Sequence, residues 1–382
     1  MNLLTKTKIP IIIAIFLLIP IYIVPVWWVS LTAPNYPVES FPDGVKINFH
    51  MNGVFNGCEE VESDEISEDE RLDCVHEMDT INHYVGMYPI AAGGPILIFF
   101  SIFMVVLLAV MLIGYLIDDE KRRIIVMSTG FFGIAIWLSL ALYLPNGLNF
   151  TNGKYLEGRV NALGQEGDTT DDLAEINPIV AALRASLAES GVEVETNDKE
   201  PSSPKEKHIA YLKDVFESNQ RSLAINEGWE GTGIQLLGWH YRTNLARYFN
   251  DPAKISPMVY TMVRNANLLY GFILFAMIVL LFGSKKTNSL FHKLLILIPI
   301  ALPILFIVIF AAWLSWYGHN LNDMGAFTLK PFMPTVFGQG KVAQFTTHSY
   351  PNIGFLLMLL FSALLSFSFF AQSKQLTDSE NA

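Results

Sequence analysis

Six apolar runs constrain this chain more than any other feature, because each is close to the length of a helix that crosses a bilayer. About 20 mostly apolar residues are needed to cross about 30 Å of hydrocarbon. The runs are Ile9–Leu31, Ile90–Ile117, Ile124–Leu144, Leu268–Gly283, Leu294–Tyr317 and Ile353–Ala371. The fourth is short, and Met258–Val263 extends it. The sequence therefore predicts an all-α membrane protein with about six transmembrane helices.

The overall composition supports a membrane protein. Hydrophobic residues make up 52% of the chain and charged residues only 16%, whereas charged residues alone reach about 25% in soluble domains. The first run could be taken for a signal peptide, but it lacks an A-x-A cleavage pattern and ends in Trp27 and Trp28. We interpret it as an uncleaved anchor.

The basic residues near the helix ends predict the orientation, since short loops rich in Lys and Arg stay in the cytoplasm. These residues are Lys6, Lys8, Lys121, Arg122, Arg123, Lys285, Lys286, Lys293 and Lys374. Both termini are then cytoplasmic, and the chain is expected in the bacterial inner membrane. The three loops 32–89, 145–257 and 318–352 face outward and hold most of the polar residues.

This topology divides the chain into seven segments. They are helix 1 (1–31), an acidic loop with both cysteines (32–89), helices 2 and 3 (90–144), a helical subdomain (145–257), helices 4 and 5 (258–317), a loop rich in Pro, Gly and aromatics (318–352), and helix 6 with a tail (353–382). Val45–Phe49 alternates as a short β element. Periodicity predicts outer helices over Asp171–Ser190, Lys205–Ile225 and Trp229–Phe249.

The net charge of −11 comes chiefly from the stretch Glu59–Glu70 in the first outer loop. This charge argues against nucleic acid as a partner. The stretch is either a solvated loop or a surface that weakly attracts cations.

The two cysteines, Cys58 and Cys74, both lie in the first outer loop. An oxidising compartment favours a disulfide between them. The alternative is a metal site, because Cys74, His76 and Met78 offer soft ligands that favour copper and would share one face of an extended strand.

Further candidate copper ligands lie near the helix ends. His83 and Met87 are four residues apart and would share a helix face, although packing at the interface is the competing interpretation. His319 and His348 occur in the third outer loop, together with Met324 and Met333. The candidate metal set is therefore His83, Met87, His76, Met78, His319 and His348.

Several chemistries lack their usual residues in this sequence. There is no Cys-x-x-Cys-His for haem attachment, no P-loop, no nucleophile elbow and no charged residue well inside a span. No histidine lies inside a predicted span, so a haem held between two histidines has no ligands there. These absences favour a non-enzymatic protein.

Two stretches resemble a family of bacterial multi-pass membrane proteins. The first is Ile81–Met87, preceded by Phe41–Val45; the second comprises Tyr317–Leu321, Lys330–Pro334 and Phe345–Pro351, and Trp239–Arg242 fits the same pattern. The family is similar to the NosB-type accessory proteins, which are associated with copper handling, nitrous-oxide reductase maturation and denitrification. The resemblance implies membrane lipid and an extracytoplasmic copper enzyme or copper chaperone as partners. The acidic insertion between Cys58 and Cys74 departs from the family, so neither cysteine takes a ligand role from it.

Two other function classes remain open from the sequence. One is a permease-like bundle whose outer loops gate a path between the helices. The other is a membrane subunit of a respiratory electron-transfer complex. A polar cavity across the bundle would favour the first, and co-purification with redox subunits would favour the second.

Overall fold

The chain is mostly helical and carries one antiparallel sheet, as seen in a computed structural model. The structure describes residues 3–38, 40–58, 73–90, 94–151, 153, 155–156, 159–160, 203–222, 227–287, 289–327, 329–342 and 344–380. The helices are α1 (Leu3–Ile23), α2 (Cys74–Tyr84), α3 (Gly94–Leu116), α4 (Glu120–Tyr143), α5 (Pro204–Ser222), α6 (Gly233–Ala246), α7 (Pro252–Gly283), α8 (Leu290–Ile300), α9 (Leu302–His319) and α10 (Ile353–Glu380). The strands are β1 (Trp27–Thr32), β2 (Val45–His50), β3 (Gly53–Asn56), β4 (Gly338–Val342) and β5 (Phe345–Pro351). The acidic stretch Glu59–Glu70 and the predicted helix Asp171–Ser190 lie outside the described residues.

Among the described residues, four helices are long and apolar enough to cross a membrane, which is compatible with a membrane protein. They are α4, α7, α9 and residues Ile353–Lys374 of α10. Three shorter stretches are also apolar: Thr7–Ile23, Ser101–Leu116 and Leu290–Ile300. In α7 only 17% of the most apolar window is buried inside the protein. Its remaining apolar surface is suited to contact with lipid.

The first helix ends at Ile23, so the predicted span Ile9–Leu31 is wrong at its C-terminal end. Pro25 disfavours helical backbone at the preceding residue. The residues that follow form strand β1, in which Trp27, Val29 and Leu31 are buried. The hydrophobic run continues from helix into strand, so hydrophobicity alone did not mark this boundary.

The fourth and fifth predicted spans also differ in detail. Helix α7 begins at Pro252, well before Leu268, which agrees with the expected extension over Met258–Val263. The fifth span is divided at Ala301 into α8 and α9. Pro303 lacks the backbone N–H that would continue the helical hydrogen bonds, and its ring disfavours the regular turn before it.

The five strands form one antiparallel sheet in the order β3-β2-β1-β5-β4. Strand β2 matches the predicted Val45–Phe49 element, whereas the other four strands were not predicted. The central pair, β1 and β5, directly follows α1 and directly precedes α10. A Cβ on Gly354 would lie 2.7 Å from the carbonyl oxygen of Pro25. Glycine at this position therefore lets the connection between β5 and α10 approach the connection between α1 and β1 closely.

The described chain divides into two compact units. The first comprises residues 1–135 and 244–382 and contains the sheet; the second comprises residues 136–243. The second unit contains α5 and most of α6, which correspond to the predicted helices Lys205–Ile225 and Trp229–Phe249 but are shorter. Its core is apolar and aromatic, formed by Leu148, Leu156, Val160, Leu212, Phe216, Leu236 and Trp239.

Candidate functional site

Helix α2 is short, only half apolar, and held at both ends by local interactions. The Asp73 side chain accepts hydrogen bonds from the amides of Val75 and His76, which caps the N-terminus. At the C-terminus, Gly86 has φ +82° and its amide donates to the His83 carbonyl. This left-handed conformation suits glycine and ends the helix at Tyr84.

The segment after α9 fixes the C-terminal end of α2. The amide of Asn322 donates to the carbonyl of Gly86 at 2.7 Å. The amide of Phe327 donates to the carbonyl of Tyr84 at 3.0 Å. The Asn322 side chain also donates to the buried Tyr88 hydroxyl. A Cβ on Gly86 would lie 2.5 Å from the Asn322 carbonyl oxygen, so the two segments meet at backbone distance.

Four buried polar atoms without a hydrogen-bond partner lie on α2 and on the segment between α6 and α7. They are Asp79 Oδ2, Asn82 Nδ2, His83 Nδ1 and Tyr248 Oη. Asp79, Asn82 and His83 follow the i, i+3, i+4 spacing, so they share one side of α2. We name these four residues the α2 cluster. Buried polar atoms normally have partners, so this cluster is the strongest candidate for a binding site in the first unit.

Aromatic rings enclose His83. Its imidazole lies 4.9 Å from the Tyr248 ring and 4.7 Å from the Phe249 ring, measured between centroids. Phe249 also makes an edge contact with Tyr88. These contacts fix the orientation of the imidazole in apolar surroundings.

Burial dominates the electrostatics of the α2 cluster. Asp79 is 1% exposed, and loss of solvation raises the pKa of its carboxyl to about 7; the Ile90 amide, which donates to Oδ1 at 2.8 Å, and Arg247 oppose this rise. Burial likewise lowers the pKa of His83 and raises that of Tyr248. The cluster therefore favours uncharged side chains while it has no charged partner.

No protein-family model matches the chain, and no curated protein or solved structure matches it either. The chemistry of the α2 cluster therefore rests on its own residues.

The predicted disulfide between Cys58 and Cys74 is present, with the two Cα atoms 5.9 Å apart. It connects the chain after β3 to the first turn of α2. The Asn56 side-chain oxygen accepts from the amides of both cysteines, at 3.0 Å and 3.3 Å. A thiolate ligand from Cys74 is therefore excluded in this disulfide-bonded form.

Two expectations about shared faces are wrong. Residues 74–78 are helical rather than extended, so His76 points away from Cys74 and Met78. His76 is exposed, and its Nδ1 lies 3.1 Å from Nη2 of Arg247. Met87 lies beyond the end of α2, so it does not share a helix face with His83, although Met78 and Met87 are both buried.

The remaining candidate ligands lie on other elements. His319 is the exposed last residue of α9, with Nδ1 2.7 Å from the Ser315 carbonyl oxygen. His348 lies in β5, opposite Ser30 and Gln339. In the described part of the chain, no hydrogen bond or ring contact joins either histidine to His83.

Copper fits the α2 cluster only if thioethers take part. No group of three or more His, Cys, Asp or Glu side chains that could hold a metal occurs among the described residues. His83 Nδ1 and Asp79 Oδ2 supply two free lone pairs, and the buried sulfurs of Met78 and Met87 flank them in sequence. Imidazole with thioether is a donor set that favours copper(I).

Sequence reasoning missed Asp79, Asn82 and Tyr248. The spacing of Asp79, Asn82 and His83 was a usable signal, because three polar side chains fall on one helix side that also carries Met78. Tyr248 had no such signal, since it comes near α2 only through the folded chain.

Proposed function

We propose that this chain is a non-enzymatic, multi-pass accessory protein of the bacterial inner membrane. It serves an extracytoplasmic copper enzyme of the nitrous-oxide reductase type, by supplying copper or by assisting assembly, as the NosB-type resemblance implies. Its copper-handling residues are His83 and Met87, supported by Met78 and Asp79.

The observation that carries this proposal is the buried Nδ1 of His83, which has no hydrogen-bond partner. Burial lowers the pKa of His83, which favours the neutral imidazole that a metal ligand requires. Asp79 lies one turn earlier, and its carboxyl Oδ2 has no hydrogen-bond partner. A copper ion would satisfy both atoms, whereas a purely structural role leaves them unexplained.

The proposed topology has six spans, formed by α1, α3, α4, α7, the pair α8 and α9, and α10, with both termini in the cytoplasm. The disulfide supports this orientation, because disulfides persist in oxidising compartments. The basic residues at the opposite helix ends support it independently.

We expect the double variant His83→Ala with Met87→Ala to bind copper(I) more weakly than the native protein, by about tenfold or more. The full chain would be purified in detergent, and copper(I) would be titrated in competition with a chromophoric chelator. Ascorbate would keep the metal reduced.

A matched control is His319→Ala with Met324→Ala, which also removes one imidazole and one thioether but alters exposed side chains. This control should bind like the native protein. Equal affinity of the His83 and Met87 variant and the native chain would refute the α2 site. Loss of copper(I) affinity in the control variant alone would indicate that the site lies in the third outer loop instead.

The topology makes a separate prediction. Single cysteines introduced at Asp119, Lys286 and Lys374, in a chain lacking the native pair, should be protected from a membrane-impermeant maleimide in intact spheroplasts. Cysteines at Lys46, Lys213 and Gln339 should react. Labelling in the opposite pattern would reverse the orientation, and labelling at all six positions in sealed cells would refute a six-span arrangement.

A further inference from the structure

A second polar site lies in the unit of residues 136–243, where Arg159 is only 8% exposed. Its Nη1 donates to Nδ1 of His240 at 2.9 Å, and its guanidinium lies 5.4 Å from the Tyr155 ring centroid. In the part of this unit that the structure describes, no Asp or Glu forms an ion pair with Arg159. The charge is therefore buried without a counter-charge there.

His240 does not neutralise this charge. It is 3% exposed, and burial together with the neighbouring Arg159 charge holds the pKa of His240 well below its usual value. The imidazole is consequently neutral and acts as a hydrogen-bond acceptor. Burying an unpaired guanidinium costs several kcal/mol, so a protein that keeps one usually supplies an anion.

Three donors in this region also lack partners: Arg159 Nε, Trp239 Nε1 and Thr243 Oγ1. Trp239 and Thr243 are four residues apart on α6, and His240 lies between them. Trp239 packs in the same core as Leu156 and Val160, which flank Arg159 closely in sequence. Arg159, Trp239 and Thr243 are each less than a tenth exposed.

We propose that Arg159, Trp239, His240 and Thr243 form a binding site for a small oxyanion, either a carboxylate or a phosphate. We name it the Arg159 site. The hydrogen bond to His240 uses Nη1, whereas the buried Nε has no partner and remains for the ligand. A guanidinium N–H forms a strong, charge-assisted hydrogen bond with an oxygen of a carboxylate or phosphate. The face of the Tyr155 ring lies next to the guanidinium and favours its positive charge.

An anion explains the three orphan atoms better than water does. Every orphan atom of the site can donate a hydrogen bond, and an oxyanion is a pure acceptor with negative charge. Buried water would accept some of these bonds, but it carries no negative charge to balance the guanidinium. The Arg159 site uses none of the proposed copper ligands, so its failure and that of the copper proposal are separable.

The test is titration of the purified full chain with inorganic phosphate and, separately, with acetate, in a buffer free of other oxyanions. A parallel titration with sodium chloride at equal ionic strength would measure the nonspecific effect of salt. Binding would be followed by calorimetry and by tryptophan fluorescence, since Trp239 lies in the site. The native protein should bind at least one of the two anions saturably.

Arg159→Gln should abolish saturable binding, and Arg159→Lys should weaken it at least about tenfold, because lysine keeps the charge but loses the planar guanidinium and its Nε–H donor. The control Arg221→Gln removes an exposed arginine of α5 and should bind like the native protein. Circular dichroism would show whether each variant is folded. If Arg159→Gln unfolds, the test rests on Arg159→Lys. No saturable binding by the native chain, or native affinity in Arg159→Lys, would overturn the proposal.

Discussion

Replacing Asp79 by asparagine should stabilise the folded protein at pH 8 and have little effect on its stability at pH 4. Asp79 is almost fully buried, and its pKa is raised from 3.8 to about 7 by loss of solvation. These two pKa values differ by about three, which corresponds to about 4 kcal/mol in the free energy of unfolding. Asparagine keeps an oxygen that can accept from the Ile90 amide, so the variant removes the charge and retains this contact.

The sign follows from proton linkage. A carboxyl whose pKa is raised by folding binds its proton more tightly in the folded state, so its contribution to stability is complete below pH 3.8. That contribution is lost as the pH rises to about 7, because the folded protein must then ionise a buried group. The native protein should therefore lose up to about 4 kcal/mol between pH 4 and pH 8 through this residue.

The measurement is the midpoint of denaturant unfolding in detergent at several pH values, with the native chain and Asp79→Asn compared at each. Asp214→Asn is a suitable control, because it removes the charge of an exposed aspartate on α5. The control should retain the native pH profile. Parallel profiles for the native chain and Asp79→Asn would show that Asp79 is not buried in solution as described.

Much of the helical framework could be predicted, because a long apolar run needs no information from the rest of the chain. Helices cover most of every predicted run, and the disulfide followed from two cysteines in one loop that was predicted to face an oxidising compartment. The boundaries were less accurate where apolar residues continue past the helix. At Trp27–Thr32 the run hides a strand, although Pro25 and the alternation of Trp27, Val29 and Leu31 gave a local indication.

The sheet illustrates why distant pairing was not visible. Strand β1 pairs with β5, so Trp27 lies opposite Pro351 and the Trp27 indole donates to Ser349 Oγ at 2.8 Å. More than 300 residues separate these partners, and no local pattern relates them. Residues 338–351 were interpreted as a loop because Gly338, Gly340 and Pro351 suppress the usual strand signal.

The α2 cluster was predictable only in part. The position of His83 near a helix end indicated a functional residue, but the burial of Asp79 depends on residues that are distant in sequence. Arg247, Tyr248 and Phe249 come near α2 after folding, and they change both the packing and the charge around it. The sequence of α2 by itself therefore gave no indication that the Asp79 side chain is buried.

The disulfide carries the second large expected effect. Cys58→Ser with Cys74→Ser should destabilise the first unit by about 3 kcal/mol, since the bond closes a loop with a sequence separation of 16 and so restricts the unfolded chain. Cys74 is completely buried at the first position of α2, and it is held next to Cys58 by their shared acceptor, Asn56. Hydrogen exchange of the α2 amides should accelerate in the variant, because this helix loses its covalent attachment to the sheet.

The native chain treated with a reductant provides the matched comparison for this variant. Reduction should lower the unfolding midpoint of the native protein towards that of the double serine variant, whereas the variant itself should not respond to the reductant. Copper(I) binding should weaken in the same variant if α2 must be held in place for His83 to act as a ligand. Native stability and native α2 exchange rates in the variant would instead mean that the amide contacts of Asn56 and the docking of Asn322 on Gly86 suffice to hold the helix.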